Sequence, residues 1–264
     1  MKLSFSTVGC PLWRWGDITA TAVDLGYQGI ELRGLGDDLF MPEVKIFNPE
    51  NRAGTLAKLR RQNLEIVCVA SDCLLHKNDR DEIAATRDYI DLAAALHAPY
   101  VRVLCDTWGE PGENVDLALA EKRLRELAPY AQEQGVTLLV ESNGVLADTA
   151  VLAALLKAAD NPAVAALWDV WHPVRNYGES PETTWANIGN YVRHIHMKDA
   201  QGGTMKMLGY GDLPLKAILK LLKDNDYGGY LSFEWTKRWN AALEEPGVAF
   251  AHYVYTARQL WNDS

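Results

Sequence analysis

Thr137-Leu138-Leu139-Val140-Glu141-Ser142 is an aliphatic run that stops on a carboxylate, and helical spacing follows it over residues 148–158. The same unit, a short apolar strand closed by a polar group and followed by an amphipathic stretch, repeats in both directions. Upstream the candidate strands are residues 3–6, 29–32, 65–70 and 100–105; downstream they are 164–169, 192–198 and 230–235. Helical patterns lie between them at 50–62, 80–96, 115–134, 214–223 and 247–260; within 80–96, Ile83, Arg87, Ile90 and Ala94 recur at helical spacing. Asp79, Asp148 and Ser180 stand where N-caps are wanted, and Gly26, Asn63 and Gly135 where a left-handed residue would close a helix. Eight strand–helix units without a low-complexity linker predict one (β/α)8 TIM barrel over residues 1–264, close to the roughly 250 residues usual for that fold. A doubly wound open sheet is the competing architecture, but about six strands would suffice there and no GxGxxG follows strand one.

The chain carries 35 acidic and 26 basic side chains, a formal net charge of −9. That sign repels phosphate backbones, so nucleic acid is not an expected partner. No apolar run is long enough for a transmembrane helix, and residues 2–6 read as a strand rather than part of a leader. Cys10, Cys68, Cys73 and Cys105 form no CxxC pair; reduced thiols in a cytoplasmic protein are expected. A chain of this size buries enough core to fold without a structural metal, so any metal is expected to be catalytic. Segments 34–47, 71–78 and 201–213 are long for simple connections and are expected to build the rim of an active site.

Strands five to eight end alike. Glu141 closes strand five, Asp169 closes Ala166-Leu167-Trp168-Asp169, His196 stands near the end of Arg193-His194-Ile195-His196-Met197-Lys198, and Glu234 ends Leu231-Ser232-Phe233-Glu234. A polar group closing an apolar strand at the C-terminal face of a barrel points toward the site. One such carboxylate reads more simply as a helix cap or a rim residue; four successive strands ending on a potential ligand are much harder to produce that way. Three carboxylates and an imidazole, with no thiolate, suit one hard or borderline divalent ion, with Mn preferred and Mg, Co or Zn compatible. Without a cation, mutual repulsion would force a proton onto at least one of them.

Neighbouring residues carry weaker signals. His194 faces the same way as His196 one layer deeper and reads as a buried, hydrogen-bonded histidine. Lys198 reaches the mouth, either to grip a substrate oxygen or phosphate or to pair with Asp199 or a rim carboxylate. Arg102 and Glu31 each sit inside an apolar strand and read as a buried ion pair. Arg33 follows strand two and His76 lies in a long loop, so both are candidates for substrate contact. Trp13, Trp15, Trp108, Trp171, Trp235 and Trp239 all follow strand ends. Aromatic faces stack on the C–H faces of sugars, which makes Trp13, Trp15, Trp108 and Trp171 expected substrate contacts.

These motifs resemble the xylose isomerase-like barrels of the sugar phosphate isomerase/epimerase group, which include ketose 3-epimerases, hydroxypyruvate isomerase and inosose dehydratases. The matching stretches are Gly29-Ile30-Glu31-Leu32, Glu141-Ser142-Asn143, Asp169-Val170-Trp171-His172, His194-Ile195-His196-Met197-Lys198-Asp199, Gly209-Tyr210-Gly211-Asp212-Leu213-Pro214 and Gly228-Gly229-Tyr230-Leu231-Ser232-Phe233-Glu234. The resemblance implies metal ligation by Glu141, Asp169, His196 and Glu234. It also implies that Glu141 and Glu234 act as acid and base on opposite faces of the substrate, and that His172 binds a substrate oxygen. Homo-oligomers are common in the group. The expected substrate is a small sugar or cyclitol, tilted toward unphosphorylated compounds because no Gly-rich phosphate cradle is present.

The expected reaction is a metal-dependent isomerisation or epimerisation of a ketose or related polyol, by proton transfer α to a carbonyl through an enediolate. Loss of a β-hydroxyl on the same site would instead make the chain an inosose-type dehydratase. Further readings are a subunit of a carbon–glycosyl bond-cleaving complex, a non-catalytic sugar-binding protein and an apurinic endonuclease. The last would need extra histidines for a multi-metal cluster, and strand four offers Arg102 instead.

Overall fold

Alternation within each apolar run decides which way its side chains point. Along Thr137–Glu141, Leu138 and Val140 join the large core under the helices, whereas Leu139 packs with Ala165 and Leu167 in a separate cluster. Successive strand residues point to opposite faces, so one set meets a helical shell and the other fills a lumen. The computed structural model describes residues 1–78, 81–107 and 109–264, and in it eight such strands close into a parallel barrel. They are β1 (Lys2–Ser6), β2 (Gly29–Leu32), β3 (Glu65–Leu74), β4 (Tyr100–Leu104), β5 (Thr137–Glu141), β6 (Val164–Asp169), β7 (Val192–Met197) and β8 (Tyr230–Phe233). Each pairs with the next, and β8 returns to β1 with Leu3 level with Leu231.

The shell consists of α1 (Trp15–Leu25), α2 (Pro49–Arg61), α3 (Glu82–Leu96), α4 (Leu117–Glu133), α5 (Thr149–Ala159), α6 (His172–Tyr177), α7 (Pro181–Ile188), α8 (Leu215–Asp224) and α9 (Pro246–Asp263). Asp148 and Ser180 cap α5 and α7 through their side chains. The α3 helix begins later than its periodicity predicts, because Asp81 accepts the Ala84 N–H at 3.0 Å and fixes the first turn; Asp79 lies outside the described residues. Gly26, Asn63 and Gly135 take positive φ, as helix closure there requires. Among the described residues, no helix is long and apolar enough to cross a membrane.

Two connections depart from the sequence reading. The β3 strand runs on to Leu74 instead of stopping at 70. Ser71 Oγ donates to the Arg102 carbonyl at 2.6 Å and Arg102 Nη1 to the Ser71 carbonyl at 2.9 Å, which extends the β3–β4 seam. After β7 the chain forms an antiparallel hairpin, Asp199–Gln201 with Thr204–Lys206, where a plain loop is expected. Its base is held by one carboxylate: Asp199 accepts the backbone N–H groups of Ala200, Gly209, Gly211 and Leu213 at 2.8–3.3 Å. A Cβ at Gly211 would run into that carboxylate, so the close approach needs glycine.

Candidate functional site

Lumen positions of a barrel are usually filled by branched aliphatic side chains. Here Glu31 on β2, Arg102 on β4, Glu141 on β5, Asp169 on β6, His194 and His196 on β7 and Glu234 just past β8 are all buried. Their outward neighbours (Ile30 and Leu32, Val101 and Val103, Ile195 and Met197) belong to the apolar core. Register brings the polar set to one level. Asp169 is paired with His196, and His196 with Ser232, two residues before Glu234.

One donor atom each from Glu141, Asp169, His196 and Glu234 lies within 4.8 Å of the others. His196 Nδ1 stands 3.4 Å from Glu234 Oε1, 3.6 Å from Glu141 Oε1 and 4.0 Å from Asp169 Oδ2, and makes no hydrogen bond. On the other side of the ring, Nε2 lies 3.0 Å from Glu31 Oε2, which also holds His194 Nε2 at 2.8 Å. A carboxylate behind an imidazole fixes the ring and directs its other nitrogen at the ligand position, the usual support of a metal-binding histidine. Three carboxylate oxygens around an unbonded ring nitrogen thus fit a divalent cation, with Glu141, Asp169, His196 and Glu234 as its holders. A second buried trio, Glu31, Cys68 and His194, lies deeper, where Glu31 is already engaged by both imidazoles.

Electrostatics follow from this crowding. Burial pushes the Glu141 carboxyl up, but Arg102 and His196 outweigh it and hold the group below its ordinary value. Glu234 is likewise raised by burial and lowered further by Lys198 and His196; for Asp169 the lowering partners are His172 and Lys198. His196 is penalised by burial, yet Glu31 and Glu234 raise it well above the normal imidazole value. The proton thereby favoured stands in for positive charge that a bound cation would supply.

Above the cluster opens a cavity of about 620 Å³, lined by Glu141, Glu234, Lys198, His172, Trp171 and Arg33 among others. That is within the range of small-ligand sites. His172 opens α6 and places Nε2 3.7 Å from Asp169 Oδ2. Lys198 is buried between Asp169 and Glu234 and contacts both carboxylates, whereas Asp199 is taken up by backbone N–H groups. Arg102 and Glu31 do not pair with each other as the sequence suggests. Arg102 Nε meets Glu141 Oε2 at 3.1 Å, and Glu31 meets the two histidines.

Several expected substrate contacts are placed elsewhere. Trp13 packs edge-on against Phe250 and Trp15 against Phe47, and neither lines the cavity, whose wall after β1 is reached by Val8. His76 is half-buried beyond β3 and is not on the cavity wall. Trp108 lies outside the described residues. Trp239 does line the cavity, and Trp235 is fully buried, donating Nε1–H to the Glu244 carbonyl. Asp72 and Lys77 on the wall were not singled out from sequence; β3 running past residue 70 is what brings them there.

The family model described as "Xylose isomerase-like TIM barrel" matches residues 19–251. The chain belongs to the xylose isomerase-like TIM barrel family. Within curated proteins it is 26% identical over 246 residues to fructoselysine 3-epimerase of Escherichia coli O157:H7, covering 81% of this chain and 82% of the relative. It is 29% identical over 147 residues to inosose dehydratase of Clostridium perfringens, covering 48% and 47% of the two chains. The crystal structure of the IOLI protein with a bound zinc atom superposes with a TM-score of 0.79 at 15% identity, covering 100% of this chain and 99% of that one, a likeness of fold.

Proposed function

We propose that this chain is a divalent-metal-dependent isomerase or epimerase of a ketose or related polyol, working by proton transfer α to a carbonyl. The observation that carries this is the pair Glu141 and Glu234, which reach the proposed metal position and also line the cavity from different strands. A bound divalent ion would act as a Lewis acid on substrate oxygens. One glutamate takes the α proton, leaving an enediolate, and the other returns a proton. Delivery to the opposite face of the same carbon inverts it; delivery to the neighbouring carbon isomerises. Lys198 keeps Asp169 and Glu234 charged, Arg102 does the same for Glu141, and His172 stands beside Asp169 where a substrate oxygen can meet it. Trp171 offers an apolar face to the sugar.

Expulsion of a β-hydroxyl from the same enediolate would give a dehydratase, a reading favoured by the similarity to inosose dehydratase. The deciding experiment is solvent deuterium incorporation into a panel of ketoses and inososes, followed by NMR, with added Mn²⁺ and with chelator. Exchange at an α carbon that requires the metal is expected. No exchange across the panel in metal-loaded protein would overturn the proposal.

A further inference from the structure

Among the described residues, the arginine and lysine side chains on the cavity wall are Arg33, Lys77, Arg102 and Lys198, and they differ in one respect. Arg102 is answered by Glu141 at 3.1 Å, and Lys198 by Asp169 and Glu234. Arg33 and Lys77 also line the cavity, yet among the described residues neither side-chain cation has a hydrogen bond or an ion pair with a carboxylate. For Arg33 the omission is costly. Its Nη1 is screened from solvent without an acceptor, and among the described residues the guanidinium lies over the Trp239 ring, 5.8 Å away. Two acids act on it from a distance, Asp72, which accepts the Tyr89 hydroxyl at 3.3 Å, and Glu234, but neither makes an ion pair with Arg33. Burial, reinforced by the like charge of Arg102, lowers the Arg33 pKa from its ordinary value, so the surroundings disfavour the cation as they stand. A guanidinium nitrogen screened from solvent without an acceptor is destabilising, and such a group at a ligand cavity is what a complementary anion would satisfy.

Position along the strand says where that anion lies. Arg33 is two residues beyond Glu31, on the same face and nearer the mouth. The β2 strand stands opposite β6, which carries Asp169, across the closed barrel. We infer that Arg33 receives an oxyanion, a carboxylate or a phosphate, carried by the substrate away from the atoms that meet the metal-binding cluster. The substrate is then an acidic polyol rather than a neutral sugar. This rests on the proposed polyol chemistry for the remainder of the ligand, but not on turnover.

The test uses ligands that cannot react. Calorimetric titration of the Mn²⁺-loaded protein with sorbitol, gluconate and sorbitol 6-phosphate compares one polyol length without an anion, with a carboxylate and with a phosphate. An anionic member binding about tenfold or more tighter than sorbitol is expected, with the preference lost in Arg33→Met and partly kept in Arg33→Lys. Whichever anion benefits identifies the source. Sorbitol binding and the melting temperature of Arg33→Met should stay level or rise, because a shielded, unpaired charge has been removed. An equal anion preference in wild type and Arg33→Met, or none in wild type, overturns the inference. Anion-selective binding without deuterium exchange would instead leave Arg33 in place and remove the proposed reaction.

Discussion

Strands β5 to β8 bring Glu141, Asp169, His196 and Glu234 together at the mouth, whereas the first half of the barrel supplies groups that answer them, from across the lumen on β2 and from the adjoining strand β4. Glu31 stands behind His196, Arg102 lies against Glu141, and Arg33 waits on the cavity wall. All four cysteines, each free and buried, also fall in or just after the first four strands. The second half presents donors for a cation together with Lys198, which answers Asp169 and Glu234, and the first half holds Glu141 through Arg102 and His196 through Glu31. The contrast separates residues that should abolish the reaction from residues that should tune it.

The largest effect is expected in the second half. Glu234→Gln removes a proposed proton carrier but leaves Lys198 its contact with Asp169, so the fold should persist. Turnover should fall by about 10³-fold, the scale of a lost general acid or base, with an unchanged circular dichroism spectrum. Turnover near the wild-type level would remove Glu234 from the chemistry. Next comes Arg102→Met, which strands a buried Glu141. The metal-free protein should lose about 3–5 kcal/mol of stability in denaturant titration, and added metal should recover part of it by taking over the countercharge. If melting is unmoved and only turnover falls, the division between the halves is wrong at that point.

A smaller change is expected for Glu31→Gln, which weakens the hydrogen bond behind His196. Metal affinity should drop about 10–100-fold, the usual cost of losing such a support, measurable by competition with a chelating dye. Unaltered affinity would mean that the His196 ring is held by packing alone. The smallest effect concerns the thiols. Burial pushes the Cys105 thiol up to about 12, so below that pH it stays protonated. Iodoacetamide at pH 8 should leave Cys105 unmodified in the native protein by mass spectrometry, and reaction there would reveal an opening of the first half.

These contrasts also explain what could be read in advance. The barrel was legible because each strand is a short apolar run and several helices open on a capping side chain, Asp148 and Ser180 among them. The juxtaposition of Glu141, Asp169, His196 and Glu234 was legible because each closes or nearly closes such a run. Mid-strand residues such as Glu31 and Arg102 were harder. Glu31 meets histidines from a strand distant in sequence and Arg102 a glutamate from the next one, and alternation alone says that they face the lumen, not whom they meet there. Trp13 and Trp15 misled for a related reason. Following a strand end does not by itself place a side chain at the mouth, and these two pack onto Phe250 and Phe47.

The Asp199 anchor has a consequence for engineering. Because one carboxylate ties down both the start of the hairpin and its return at Gly209, Gly211 and Leu213, the exposed Gly202-Gly203 tip is mechanically insulated from β7. Met205, just past that tip, lines the cavity. The hairpin is therefore a cassette: its tip can be lengthened or exchanged to remodel the cavity wall, while the frame that positions His196 stays bolted in place.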